Sequence, residues 1–537
     1  MRPDGSGPVL TDGGRTPSVK WRGGYLYAPR DPDAVPRRIA LEAPLPADTL
    51  FVLPSPLLGY GLPELLGRLG AGSAILLVEA ESELEALARE RIPCELLSHP
   101  RVRFVSATPE AAVLAARGLG RFRKAAELVL SRGRSLAAPA YDAVMSALDA
   151  DFQTWWRNRA TMARMGRLWT RNLLDNLGRL PYGRLRPLPA ATRPILVAGA
   201  GPSLDRSAPW ILARRQRIAV LAVDTALPCL RSRGIEPDAV VVLEGQAHNL
   251  RDFAGSSGNA IRLFGDLSSH PAGSRHVGGP VHAVLTRWEE LSLLDRAEEL
   301  PFIAARLPPL GSVGVLAASL AMKLGPVPLI LTGLDFSFGP GRTHAAGAPA
   351  LRTEEDRQSR IRCKPVQWSI AYGGRSRPAT RNGELSNPLL AAYASTLQRE
   401  LAPVSGRVLD LRGGGLDLGL TRADFRAADE LLEAFGRSES AEAFEDRGVF
   451  DPDSSRRSAG AFLEGELRLV LDLRSSLRDG RPGLEAAVGS CDGYWAHFAD
   501  PERVRDLPQD FRNRLLVETF YWEDRIGRAL GFLRDAR

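Results

Sequence analysis

The chain has 537 residues, enough for two to four domains, with apolar (44%) and charged (25%) shares ordinary for a soluble globular protein. Its net charge of +7 rests almost wholly on arginine, which reads as codon bias, and no basic stripe interleaved with aromatics points to nucleic acid. No run reaches the ~18 apolar residues of a membrane helix, the first residues lack a signal-peptide core, and the four cysteines have no metal or redox spacing; the expectation is a cytoplasmic protein with reduced thiols and no membrane insertion.

Residues 1–150 read as an N-terminal Rossmann-like α/β domain. A polar, Gly- and Pro-rich start leads into "TLFVLPSP" as a buried strand and "GYGLPELLGRLG" as a glycine turn opening a helix. "AILLVEAES" is a second strand ending in Glu79, an acid about twenty residues past Gly59 as in dinucleotide-binding units. The glycine pattern is incomplete, and the unit reads as structural. "AAVLAARGLGRFRKAAELVL" and "TWWRNRATMARMGRLWTRNLLDNL" have helical spacing. Residues 151–190 are a helical connector and linker, and the four prolines of 181–194 mark the chain's best linker.

From 191 to 436, strand and helix alternate as in a parallel sheet. "PILVAGAG", "RIAVLAVDTAL", "PDAVVVLEGQ", "IRLFGDLS", "VHAVLT" and "PLILTGLDFSF" are strands; "SAPWILARR" and "SVGVLAASLAMKLG" are helices. Residues 341–385 interrupt this order as a polar, arginine-rich lid containing Arg352, Arg357, Arg360, Arg362, Lys364, Arg375, Arg377 and Arg381. Guanidinium forks suit carboxylate and phosphate groups, although a solvated loop explains them equally well. Residues 437–537 form a C-terminal helical domain. The fold class is therefore α/β: a central Rossmann-like parallel-sheet nucleotide-binding domain flanked by an N-terminal α/β domain and a helical C-terminus.

The strand ends carry the chemistry. "VAGAGPSLD" places Gly199 and Gly201 in a tight bend, where they would permit positive φ and a close ligand approach. Ser203 would cap the following helix and leave amides aimed at a phosphate. Asp224, followed by Thr225, Glu244 and Asp335 each close a strand, so three acids face one crevice where they could take ribose hydroxyls, a divalent ion or a proton. "LGSVGV" adds a second glycine turn, with Ser312 and Gly314 at a helix start. His344 is placed to act as a general base; His248, His270, His276 and His282 read as surface or loop residues. No metal-ligand set emerges.

"GAGPSLD", "VDTAL", "PDAVVVLEGQ", "GSVGVLAASLAMKLG", "LILTGLDFSF" and "GRTHAAG" follow one another in an order that resembles the core of the motility-associated factor (Maf) flagellin glycosyltransferases. That core is similar to MptE-type 6-hydroxymethylpterin diphosphokinases and to bacterial sialyltransferases that use CMP-sialic acid. The resemblance implies that Gly199, Gly201 and Ser203 hold the nucleotide phosphate. Asp224 and Thr225 would lie near ribose or base, Ser312 and Gly314 would contact the nucleotide from the other side, and Asp335 and His344 would face the sugar. The sialyltransferases have asparagine where this chain has Ala200, the lid beyond His344 contains no histidine, and Glu244 stands where aspartate is expected. The implied activity is transfer of a nonulosonic acid from a CMP-activated donor to Ser or Thr of flagellin, with no required cofactor and Mg²⁺ as an option. Two alternatives are an ATP- and Mg²⁺-dependent pterin diphosphokinase-like enzyme and a non-catalytic flagellin-binding or assembly factor.

Overall fold

The computed structural model describes residues 7–12, 14–254, 260–339, 342–356, 359–361, 380–381, 384–479 and 483–535. It divides into two compact units, Met1–Thr161 and Met162–Arg537. In the first, a small antiparallel sheet near the start precedes four parallel strands: β1 (Thr49–Pro54), β2 (Ala74–Glu79), β3 (Val102–Ser106) and β4 (Lys124–Glu127). Their order is β3-β2-β1-β4. β1 and β2 are buried along their whole length, which explains the apolar runs 50–54 and 74–78. Glu79 is enclosed at the end of β2. Its carboxylate accepts hydrogen bonds from Ser55 Oγ (2.8 Å), Tyr141 Oη (3.0 Å) and the Ala80 and Glu81 amides, so protein donors occupy the acid.

One reading of this region is corrected. "RFRKAAELVL" is not a continuation of the preceding helix, which ends at Leu119 before Gly120 (φ +145°). Lys124–Glu127 instead pairs with β1 as an edge strand; sheet hydrogen bonding outweighs the helical propensity of Lys, Ala and Glu.

Helix α1 (Ala138–Arg179) runs 42 residues from the first unit into the second. The second unit is built on eight parallel strands. In chain order these are β5 (Ile195–Ala198), β6 (Ala219–Val223), β7 (Ala239–Val242), β8 (Arg262–Asp266), β9 (Val281–Thr286), β10 (Ile303–Leu307), β11 (Leu329–Thr332) and β12 (Val408–Asp410). The sheet order is β10-β9-β8-β7-β6-β5-β11-β12. The chain starts in the interior, builds outward to β10, then returns to the other side of β5. The β5/β11 neighbours are thus the topological switch point, where a doubly wound sheet opens a crevice at its carboxyl end.

Helices α2 (Ser203–Ala213) and α3 (Val313–Lys323) join one apolar cluster with the strands, including Ile211, Val220, Leu316, Leu320 and Ile330. A second cluster covers strand residues such as Val240 and Leu285 with Leu173 and Leu177 of α1. It also contains Leu463 of α4 (Pro452–Asp479) and Trp522 of α5 (Gln509–Asp535). The C-terminal helices therefore share a core with the sheet. The proline-rich stretch 181–194 is packed too: Tyr182 and Leu185 are buried, and Ala190–Ala191 pairs with Phe444–Glu445. His282 is a core residue of β9 stacked on Phe264 at 4.6 Å, not a surface or loop histidine. Among the described residues, no helix is long and apolar enough to cross a membrane, and Cys94, Cys229 and Cys491 are free thiols.

Candidate functional site

Because all eight strands are parallel, the segments following β7, β6, β5 and β11 emerge side by side. They carry Glu244, Asp224, the Gly199–Ser203 bend and Gly333–Asp335. At the usual strand spacing, Asp224 and Asp335 leave strands roughly 10 Å apart with the bend between them.

The bend is held shut against β11. The Gly199 amide donates to Thr332 O (2.9 Å), and the Gly201 amide to Gly333 O (2.7 Å). The Ser203 amide donates to Asp335 Oδ2 (3.3 Å) and its hydroxyl to the same oxygen (2.9 Å), while Ser203 Oγ accepts from the Gly333 amide (2.9 Å). The sequence reading is corrected in two respects. The amides of Gly199, Gly201 and Ser203 are spent on protein oxygens and are not an open phosphate cradle. Neither Gly199 nor Gly201 has positive φ, and Ser203 is not a helix cap but the first residue of α2. Glycine is needed for close approach: a Cβ at Gly199 would lie 2.2 Å from Gly333 O, and one at Gly201 2.1 Å from Asp335 Oδ2. Across the seam, Gly333 has φ +67° and its Cβ would lie 2.0 Å from Gly199 O.

The Ala200 amide in the bend has no hydrogen-bond partner among the described residues, and neither do the amides of the first turn of α3, Val313, Gly314 and Val315, where Ser312 makes no side-chain cap bond. A Cβ at Gly314 would lie 2.6 Å from Leu334, which places this helix start beside the switch point. The positive end of α3 is therefore left uncapped at this end of the sheet.

Burial dominates the acids. It pushes the pKa of Asp335 up to about 6, with Ser203 opposing, and that of Asp224 up to about 7, with nearby Asp252 adding to the rise. Thr225 donates to Asp224 Oδ1 from its amide (2.8 Å) and to Asp252 Oδ2 from its hydroxyl (3.3 Å), joining two carboxyls that burial keeps easy to protonate. Glu244 accepts from the Gln246 amide at 3.1 Å. Among the described residues, no three His, Cys, Asp or Glu groups are placed to hold a metal ion.

His344 lies at the same place. The Ala345 amide next to it donates to Ala200 O at 2.8 Å. Asp205, in the first turn of α2, pins the segment by accepting from Arg342, the Ala346 amide and Arg233. Burial lowers the pKa of His344, whose Nδ1 shares a hydrogen bond with Thr343 Oγ1 (3.0 Å). Its Nε2 has no partner among the described residues.

The sequence reading missed several contributors. Asp252 lies in a short helical turn, away from any strand end. Phe336, at φ +50°, holds a backbone conformation strained for an aromatic residue immediately after Asp335. Arg412 is fully buried, pairs with Asp410 and donates to Leu334 O (2.9 Å), fixing the backbone beneath that acid. "LDLR" offered the Asp–Arg pair as a signal, but not its location. Of the lid arginines, Arg352 and Arg360 are exposed, and Arg357, Arg362, Lys364, Arg375 and Arg377 lie outside the described residues.

Residues 171–341 match the model of the family described as 6-hydroxymethylpterin diphosphokinase MptE-like. The chain is 28% identical to an uncharacterized protein of Treponema pallidum (strain Nichols), over 97% of this chain and 95% of that one. A second uncharacterized protein of that organism is 31% identical over 104 residues, covering 19% of this chain and 46% of the other. Among solved structures, the MAf glycosyltransferase from Magnetospirillum magneticum AMB-1 is similar with a TM-score of 0.59 at 16% identity, covering 98% of this chain and 89% of that one. The chain thus carries an MptE-like core within a fold shared with a Maf glycosyltransferase.

Proposed function

We propose that the protein is a glycosyltransferase that moves a nonulosonic acid from a CMP-activated donor to a Ser or Thr hydroxyl of flagellin. The observation that carries the reading is the meeting, at one switch point, of the uncapped start of α3, two buried carboxyls and a half-buried histidine. The fold shared with a Maf glycosyltransferase along nearly the whole chain supports it.

In this reading the donor phosphate lies at the Val313–Val315 amides and the Ala200 amide, in place of the Gly199, Gly201 and Ser203 amides. Asp224 and Thr225 lie toward ribose or base, with Gly314 letting the start of α3 close on Leu334 beside the nucleotide and Ser312 offering its hydroxyl. The acceptor oxygen attacks the anomeric carbon, the bond to phosphate breaks, and CMP leaves onto the helix end, whose dipole favours the new charge. The acceptor proton passes to His344 Nε2, because a histidine that burial keeps neutral can receive it. Asp335 and Glu244 are the remaining candidates for that role, and Asp335 has one oxygen already engaged by Ser203.

The family match favours one second reading, ATP-dependent diphosphorylation of a pterin alcohol with Mg²⁺ at Asp224, Glu244 or Asp335. Calorimetric titration with CMP and with ATP, each with and without magnesium, separates the two. Metal-independent CMP binding is expected; magnesium-dependent ATP binding without CMP binding would replace the first reading with the second. Under the first, His344→Gln should lower the transfer rate about 10²–10⁴-fold with little change in CMP affinity.

A further inference from the structure

Two buried asparagines one helical turn apart on α1 face the carboxyl end of the sheet. Asn172 Nδ2 donates to Gly245 O and Ser268 O, both at 2.9 Å. Asn176 Nδ2 donates to Leu267 O (2.8 Å) and Ser269 O (2.9 Å). Two side-chain amides thus satisfy four carbonyls in the segments that leave β7 and β8. Those segments are also tied to each other, because the His270 amide donates to Glu244 O at 3.0 Å. Gly245 is pressed onto the helix so closely that a Cβ would lie 3.1 Å from Asn172 Nδ2 and 3.2 Å from Trp169.

We infer that Asn172 and Asn176 are positioning residues that set the place of Glu244, and through it the acidic side of the nucleotide site. The inference rests on the proposed site but names a part of it outside the sheet. Asparagine suits the task because one side-chain NH₂ supplies two donors in a fixed plane: at Asn172 they join carbonyls of the two loops, and at Asn176 they hold two carbonyls of the loop after β8. A carboxylate could not do this, and an alanine would leave two buried acceptors unpaired at each position. The segment matched by the MptE-like family begins at residue 171, well before the first sheet strand, so both asparagines belong to the shared core.

The test uses the full chain with Asn172→Ala, Asn176→Ala and Asn172→Asp, read by amide hydrogen exchange and by CMP titration. Exchange should rise in peptides covering 243–249 and 267–272 but not in those covering 195–205 and 329–335. CMP affinity should fall about tenfold in Asn172→Ala, and further in Asn172→Asp. Glu244→Gln should cost much less in the Asn172→Ala background than in the wild type, since coupled residues are non-additive. If Asn172→Ala does not fold, Asn172→Ser, which keeps one donor, takes its place in the cycle. Unchanged exchange in the two loops would overturn the ladder, and additive losses of CMP affinity would overturn its link to Glu244. A wild-type protein that does not bind CMP would sink the proposed donor instead, leaving the exchange result to decide the ladder.

Discussion

Replacing Ser203 by alanine removes an oxygen that donates to Asp335 and accepts from the Gly333 amide. Both partners are buried, so Ser203→Ala should lower the unfolding free energy by about 1–3 kcal/mol, measurable by urea titration. The acids carry a pH signature. Burial raises Asp224 to about 7 and Asp335 to about 6, above the ordinary 3.8, so the folded chain holds extra protons across that interval. Their contribution to stability is fully present below about pH 4 and is lost as pH rises through the folded values. Asp224→Asn should therefore make the fall in stability between about pH 4 and pH 8 shallower, by at most about 1.4 kcal/mol per pH unit over which the acid titrates. At this scale the sequence was half legible. Strand-end position marked Asp224 and Asp335, but nothing in "VAGAGPSLD" says that its glycines exist for a backbone contact with Gly333. Asp252 has no pattern that brings it to Thr225; only the return of its turn over the sheet does.

Secondary-structure elements were easier to read where burial made them uniform. β5, β6 and β7 are unbroken apolar runs, and β11 is apolar up to its last residue, Thr332, because a parallel strand is covered on both faces. β10 carries a weak strand signal: "IAARL" lies at the sheet edge, with Ala304 and Arg306 less buried than their neighbours, so its apolar pattern is diluted. Just past the ends of β5 and β11, Gly199 and Gly333 meet backbone to backbone. Gly333→Ala combines a positive φ with a Cβ at 2.0 Å from a carbonyl oxygen that cannot swing away. It should cost more than the ~1–3 kcal/mol of ordinary overpacking, and a drop in soluble yield with a lowered melting midpoint would register it. If Gly333→Ala is as stable as the wild type, the seam is looser than described.

For the whole molecule, the sequence placed an α/β unit first, a nucleotide-binding sheet in the middle and helices at the end. It did not reveal that the last helices complete the core of the sheet, since an amphipathic stripe shows which face is buried but not its partner. The two compact units each have their own apolar clusters. Scanning calorimetry should accordingly resolve two transitions, and CMP at about a hundred times its dissociation constant should shift only the one belonging to Met162–Arg537, by about 2.7 kcal/mol. A shift of both transitions together would show that the units unfold as one.

The order of the sheet also bears on how the chain is made. β5 is the first of the eight strands to leave the ribosome, yet its neighbour β11 follows only about 130 residues later, a delay of roughly 7–27 s at 5–20 residues per second. Throughout that interval the nascent protein presents an unpaired apolar strand edge at the heart of its future crevice, a surface on which holdase chaperones or another nascent copy could seize.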